Sequence, residues 1–273
     1  MKTRVIVSLI AVPIIVLMIL FAPFAVFGCF VGLISCFAAI EFLRCAEKGL
    51  NTRLIVYSAV ISAAIPVMTA LDMSAFAPHV IFLFIVALTC ELIASFRLEK
   101  PMDYETVGSC VLAGVVMPML ISSAVRLGAG ENAPLYVLIP FIITFSCDSG
   151  AYFTGAAFGR HKLTMKLSPN KTIEGAIGGF FSSILMMTAY GFILISAGYA
   201  SNLPVMAIFG FLGGLLCQIG DLFFSAIKRA CGVKDFGKMI PGHGGVLDRF
   251  DSMYFVAPLI EFLILWTPPM LQG

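Results

Sequence analysis

Nine long apolar stretches restrict what this chain can become. They fall at 5–21, 24–43, 54–71, 78–96, 107–125, 134–153, 173–198, 203–222 and 252–266. Crossing the hydrocarbon core of a bilayer takes about 20 predominantly apolar residues in a helix. The stretches are continuous, whereas a closed barrel alternates apolar and polar positions. Many are longer than the roughly 7–15-residue apolar core of a signal peptide, and nothing after Phe21 reads as a cleavage site. The 273 residues are 60% hydrophobic and 12% charged, against about 25% charged in an average soluble domain. The expected fold is therefore all-α, a polytopic integral membrane protein with about nine transmembrane helices.

Charge placement sets the expected orientation. With nine spans and a cytosolic N-terminus, 16 of the 17 Lys and Arg residues fall at cytoplasmic ends, leaving Arg126 outside. The opposite orientation inverts the positive-inside rule almost completely. The net charge of +2 sums over two membrane sides and identifies no partner. The eight cysteines show no CxxC pair and no Cys/His metal spacing. They read as small polarizable core residues.

The chain divides by polarity near residue 130. Residues 1–130 carry few polar side chains within their spans and read as scaffold. Pro66 and Pro118 are candidate kinks there, which membrane helices tolerate. Glu41 and Glu91 lie about a turn from Arg44 and Arg97, so snorkelling or local pairing accounts for them. Residues 131–273 differ, with polar segments at the cytoplasmic face, and read as the functional region. Glycines four apart recur at Gly155/Gly159, Gly175/Gly179 and Gly210/Gly214, a spacing that allows close helix approach.

Between Asp221 and Asp251, nine charged residues crowd into 31 positions, four acidic and five basic. Acids there can hold metal ions and bases can hold phosphates, so a polyanion at a membrane edge is the natural ligand. If the helix through Gly220 continues, Asp221, Ser225 and Lys228 share one face, with Arg229 beside them. A carboxylate at the end of an apolar span is costly unless it is used. Next come Lys234, Asp235 and Lys238, then a Gly-Pro-rich turn around His243, Gly244 and Gly245, and then Asp248, Arg249 and Asp251. Asp248 and Asp251 can cap the last helix or, with Asp221, offer the hard oxygen ligands that Mg²⁺ takes alongside substrate phosphates. No Walker A pattern is present.

A second cluster spans 148–174. It contains Asp148 near the end of an apolar span, a Ser168-Pro169-Asn170 helix-entry signal, and Lys171 and Glu174 flanking the next span. Arg160 and Lys166 are accounted for by the positive-inside bias alone.

The stretch from Ser225 to Asp251 resembles the signature of the CDP-diacylglycerol synthases, or phosphatidate cytidylyltransferases. That pattern reads S-x-apolar-K-R, four residues, K-D-x-small, two residues, apolar-P-x-H-G-G-apolar-x-D-R-apolar-D. Every specified position is met here, from Ser225, Lys228 and Arg229 through Lys234, Asp235 and Gly237 to His243, Asp248, Arg249 and Asp251. The resemblance extends to Asp148–Tyr152, Ser168–Thr172, Glu174-Gly175 and, more loosely, Lys2–Val5.

The resemblance implies a reaction in which CTP and phosphatidic acid give CDP-diacylglycerol and pyrophosphate. It assigns Mg²⁺, singly or in a two-cation site, to Asp221 and Asp248. Catalytic roles are expected for Lys228, Arg229, Asp235, Arg249 and Asp148. Substrate contacts are expected from Lys171, Glu174, Ser225, Lys234, His243, Gly244, Gly245 and Asp251. The glycine turn is expected to return Asp248 toward Asp221. The expected setting is a bacterial plasma (inner) membrane with the site facing the cytoplasm, membrane lipids around it, a homodimer from the family, and no nucleic acid. The alternatives are a CTP-dependent polyprenol or phytol kinase, a membrane transporter and a noncatalytic scaffold. The complete signature argues against the kinase. Polar residues gathered at one face, rather than tracing a route across, argue against the transporter.

Overall fold

The structure is a computed structural model that describes residues 13–47, 49–97, 101–130, 132–164, 166–240 and 244–267. Helix α1 occupies residues 13–21, and the start of the first expected span lies outside the described residues. The helices that follow are α2 (Phe24–Ala46), α3 (Thr52–Ala70), α4 (Ala77–Ser95, preceded by a 3₁₀ turn), α5 (Tyr104–Val111), α6 (Met117–Arg126), α7 (Ala133–Phe158), α8 (Ile173–Ser196) and α9 (Leu203–Ala230). A short α10 (Leu247–Phe250) and α11 (Met253–Trp266) close the order. Among the described residues, seven helical segments are long and apolar enough to cross a membrane. Their most apolar windows have mean hydropathies of 1.4–2.2, the composition of a helix surrounded by lipid and other helices rather than water. Helix α11 coincides with the ninth expected span but has only 14 residues.

Local chemistry explains the boundaries. Asn51 caps α3 by accepting from the Arg53 amide at 3.1 Å, and Asp103 caps α5 by accepting from Thr106 at 2.8 Å. Pro118 does not simply kink its span. It lies just after a π-helical stretch, Leu112–Val116, which joins α5 to α6. Such a wide turn relaxes the hydrogen-bond ladder where proline brings no N–H. Pro66 lies inside α3. All eight cysteines are free thiols.

The chain forms two compact units: Met1–Ala129 with Ala230–Phe250, and Gly130–Arg229 with Asp251–Gly273. The expected two-part division at residue 130 left out this exchange, in which Ala230–Phe250 joins the first unit. In the first unit, α2 and α3 pack through small residues. The Ser35 and Ser62 hydroxyls hydrogen-bond at 2.8 Å, and a methyl on Gly32 would lie 2.9 Å from the Ala63 carbonyl oxygen.

In the second unit, α7, α8 and α9 approach through the glycines flagged by spacing. A methyl on Gly179 would lie 2.6 Å from the Cys147 carbonyl oxygen, and one on Gly210 would lie 2.6 Å from that of Ser183. Both obstacles are backbone, which cannot swing aside. Gly210→Ala should therefore separate α8 from α9 and cost about 1–3 kcal/mol, read as a lower melting temperature in detergent.

One element departs from the all-α expectation. β1 (Lys162–Thr164) and β2 (Ser168–Thr172) form an antiparallel hairpin, with Lys162 opposite Thr172 and Thr164 opposite Ser168. Ser168-Pro169-Asn170 is thus strand, not helix entry. The cap of α8 is Thr172, whose hydroxyl accepts from the Gly175 amide at 3.1 Å. Thr172→Ala should cost about 0.5–2 kcal/mol, measurable by thermal unfolding.

Candidate active site

In the second unit the site is built on α9. Its 28 residues span about 42 Å at roughly 1.5 Å per residue, longer than a hydrocarbon core of about 30 Å. The apolar span expected to end at residue 222 continues as one helix, so its last turns carry the polar stripe on a rigid rod. The Ser225 hydroxyl donates to Asp221 Oδ1 at 3.3 Å, which places the i and i+4 side chains on one face as their spacing requires. Lys228, a turn further on, is buried.

Lys171, at the end of β2, brings its ammonium onto Asp221 Oδ2 as an ion pair. The Arg229 Nε donates to the Leu167 carbonyl at 3.0 Å. Two cations of the expected site thus bind the β-hairpin to the polar end of α9.

Asp251 and Asp148 complete this group. Asp251 is buried, and its Oδ1 accepts from the Ser252 amide at 2.8 Å. Burial, followed by the nearby Asp221 carboxylate, pushes the Asp251 acid up to about 7, against the pull of Lys228; Asp148 adds to the rise. Asp148 does not lie near the end of its helix. Helix α7 runs ten residues further, to Phe158, and the Cys217 thiol approaches Asp148 Oδ1 at 3.8 Å.

Glu174 lies in the first turn of α8, flanking the start of that span as expected. Its carboxylate accepts from the Arg160 amide at 3.1 Å and the His161 amide at 3.2 Å, and pairs with His161 Nδ1 at 2.6 Å. These acceptors serve the entry to the hairpin.

The first unit holds the glycine turn. Lys234 and Asp235 are exposed, as is Arg249. His243, with Pro241 and Gly242, lies outside the described residues, as does the Lys2–Val5 motif. The Ile240 amide donates to the Gly244 carbonyl at 2.9 Å, closing the turn. Gly244 has φ +88°, a backbone region that strains any residue with a Cβ. Asp248, buried at the start of α10, accepts on Oδ2 from the Phe236 amide at 2.9 Å and the Gly245 amide at 3.0 Å.

Sequence reasoning missed Glu41. It does not snorkel or pair with Arg44. It is 6% exposed, and its Oε2 accepts from the Leu247 amide at 2.9 Å. An acid within an apolar helix was the available signal.

The model of the cytidylyltransferase family matches residues 2–266. The chain belongs to this family. Among curated relatives, the phosphatidate cytidylyltransferase of Staphylococcus aureus (strain COL) is 45% identical over 130 residues, covering 48% of this chain and 49% of the relative. Proteins of the same name from Staphylococcus haemolyticus (strain JCSC1435) and Staphylococcus epidermidis (strain ATCC 35984) are 42% identical over 130 residues and 44% over 133. The chain spans about half the length of the curated relatives it matches. For a cytidylyltransferase, an acid-and-base stripe at the end of an apolar helix is chemically apt. Transferring a nucleotidyl group concentrates negative charge, and cations and metal-binding acids are what offset it.

Proposed function

We propose that this chain is a phosphatidate cytidylyltransferase, which transfers CMP from CTP to phosphatidic acid and releases pyrophosphate. The observation that carries this reading is the Asp221–Ser225–Lys228–Arg229 stripe closing an apolar helix in a chain of the cytidylyltransferase family. One substrate is anchored in lipid and the other is dissolved. A polar site at the end of a membrane helix serves both. The positive-inside bias supports a site facing the cytoplasm, and the family resemblance supports a bacterial plasma membrane and a homodimer.

A phosphate oxygen of phosphatidate attacks the α-phosphorus of CTP, the bond to the bridging β-oxygen breaks, and pyrophosphate leaves with the electron pair. Phosphatidate is already ionised, so no general base is required. Lys228, Arg229 and Arg249 neutralise phosphate charge. Lys171, now the counter-charge of Asp221, is the cation that can turn toward CTP when that carboxylate is otherwise satisfied. Ser225 and His243 position substrate, with Lys234, Gly244 and Gly245. Asp235 and Asp148 act on the reacting groups, and Glu174 and Asp251 contact substrate.

The donor set fits Mg²⁺. Among the described residues, no group of three or more His, Cys, Asp or Glu is arranged to hold a metal, but Mg²⁺ commonly uses only one or two carboxylates plus substrate phosphates and water. On Asp221 an ammonium stands where a metal cation would answer the same charge. Asp221 and Asp248 are the carboxylates assigned to it. When bound, the ion neutralises charge developing on the phosphoryl oxygens and leaving group.

The test supplies purified protein with Mg²⁺, phosphatidate and CTP labelled in the cytidine. Labelled CDP-diacylglycerol is the expected product. Transfer of the γ-phosphate of CTP to a polyprenol, with no cytidine in lipid, would overturn the reading.

A further inference from the structure

Two adjacent residues of α2 hold the glycine turn of the first unit. The Phe42 ring packs against Phe236, centroids 6.2 Å apart. Beside it, Glu41 reaches the other end of the turn and accepts from the Leu247 amide at 2.9 Å. A methyl on Gly237 would overlap Glu41 Oε1, and one on Gly245 would overlap Oε2. The carboxylate therefore lies against both glycines, and their lack of side chains is what admits it.

Asp248 accepts from the Phe236 and Gly245 amides. Three loop amides thus converge on two carboxylates, one from the turn itself and one from α2. Glu41 Oε1 has no hydrogen-bond partner among the described residues. Burying a carboxylate this fully is costly unless it does something a hydrocarbon cannot. Scaffold packing alone calls for a Leu or Met at this place.

We propose that Glu41 is a positioning residue: from α2 it sets the placement of residues 236–237 and 245–247 and, through them, the orientation of Asp248. The inference rests on the reading of Asp248 as a site residue. It adds a functional residue to a helix that the sequence pattern assigns to scaffold.

The experiment compares wild type with Glu41→Ala, Glu41→Gln, Gly237→Ala and the double variant Glu41→Ala/Gly237→Ala, each purified in detergent as the full chain. CMP transfer gives kcat and the KM for CTP. Trypsin cleavage after the exposed Lys234 and Lys238 reports loop order independently of activity. Glu41→Ala should lower kcat by about 10–100-fold, leave the KM for CTP within about threefold, and speed cleavage by about tenfold. Glu41→Gln keeps an acceptor for Leu247 and should stay within about threefold of wild type on both readouts.

The decisive comparison is Gly237→Ala. In the wild-type background it should cost about 100-fold, but with Glu41 removed only about threefold more, because the overlap it creates is gone. Glu41→Ala with wild-type kcat and cleavage would overturn the proposal, as would equal Gly237→Ala penalties in both backgrounds. If Glu41→Ala does not fold, Glu41→Asp, which draws the carboxylate back by one methylene, carries the same expectation. Wild type that cleaves as expected but transfers no CMP would refute the proposed function while leaving the loop result to stand.

Discussion

Asp221→Asn and Asp248→Asn each lower CMP transfer by about 10²–10³-fold, the usual cost of removing one group that stabilises transition-state charge. Asparagine is the informative replacement because it removes charge and keeps an oxygen acceptor. At Asp248 that acceptor holds the Phe236 and Gly245 amides. Asp248→Ala would leave both amides unpaired in a buried turn, costing about 1–3 kcal/mol each and confusing folding with chemistry. At Asp221 the asparagine oxygen can still accept from Ser225, while the ion pair with Lys171 is lost. The measurement is kcat at saturating Mg²⁺, with the melting temperature as the control for folding. Robust turnover by both variants would sink the metal assignment.

The second large effect concerns pH. Asp251 is held near 7 in the folded protein, against 3.8 for the free side chain, because burial and the Asp221 carboxylate oppose its ionisation. The unfolded chain loses this proton at lower pH than the folded one, so stability falls as pH rises from about 4 to about 7 and levels off above that. At roughly 1.4 kcal/mol per unit, the contribution is about 4 kcal/mol. Asp251→Asn cannot ionise and retains an acceptor for the Ser252 amide. In chelator-treated protein, the variant should melt at clearly higher temperature than wild type at pH 8, and the two should converge near pH 4. Parallel melting curves across this range would refute the assignment.

Much of this was legible residue by residue. The spans announced themselves because each apolar run is self-sufficient: a helix satisfies its own backbone and needs no distant partner to be recognised. The α9 stripe was legible for a related reason. Asp221, Ser225 and Lys228 share a face through helix periodicity alone, and only the continuation of the helix past residue 222 had to be supplied. The glycines at 179 and 210 likewise told of close helix approach through their spacing.

The hairpin at 162–172 was not legible. Ser168-Pro169-Asn170 is as good a helix entry as a strand, and what decides is pairing with Lys162–Thr164 across the turn. The partners of Glu174 at the entry to this hairpin, the Arg160 and His161 amides, were equally hidden, since they lie 14 and 13 residues away.

A polytopic membrane helix protein, the helix that carries the polar stripe and the family signature are all written in local periodicity and residue order. That Ala230–Phe250 joins the N-terminal unit, and that Glu41 holds its glycine turn, emerges only from the fold. That hydrogen bond joins residues 206 positions apart. Such a contact leaves no local pattern. It exists only once the chain has folded and a buried amide must find its acceptor.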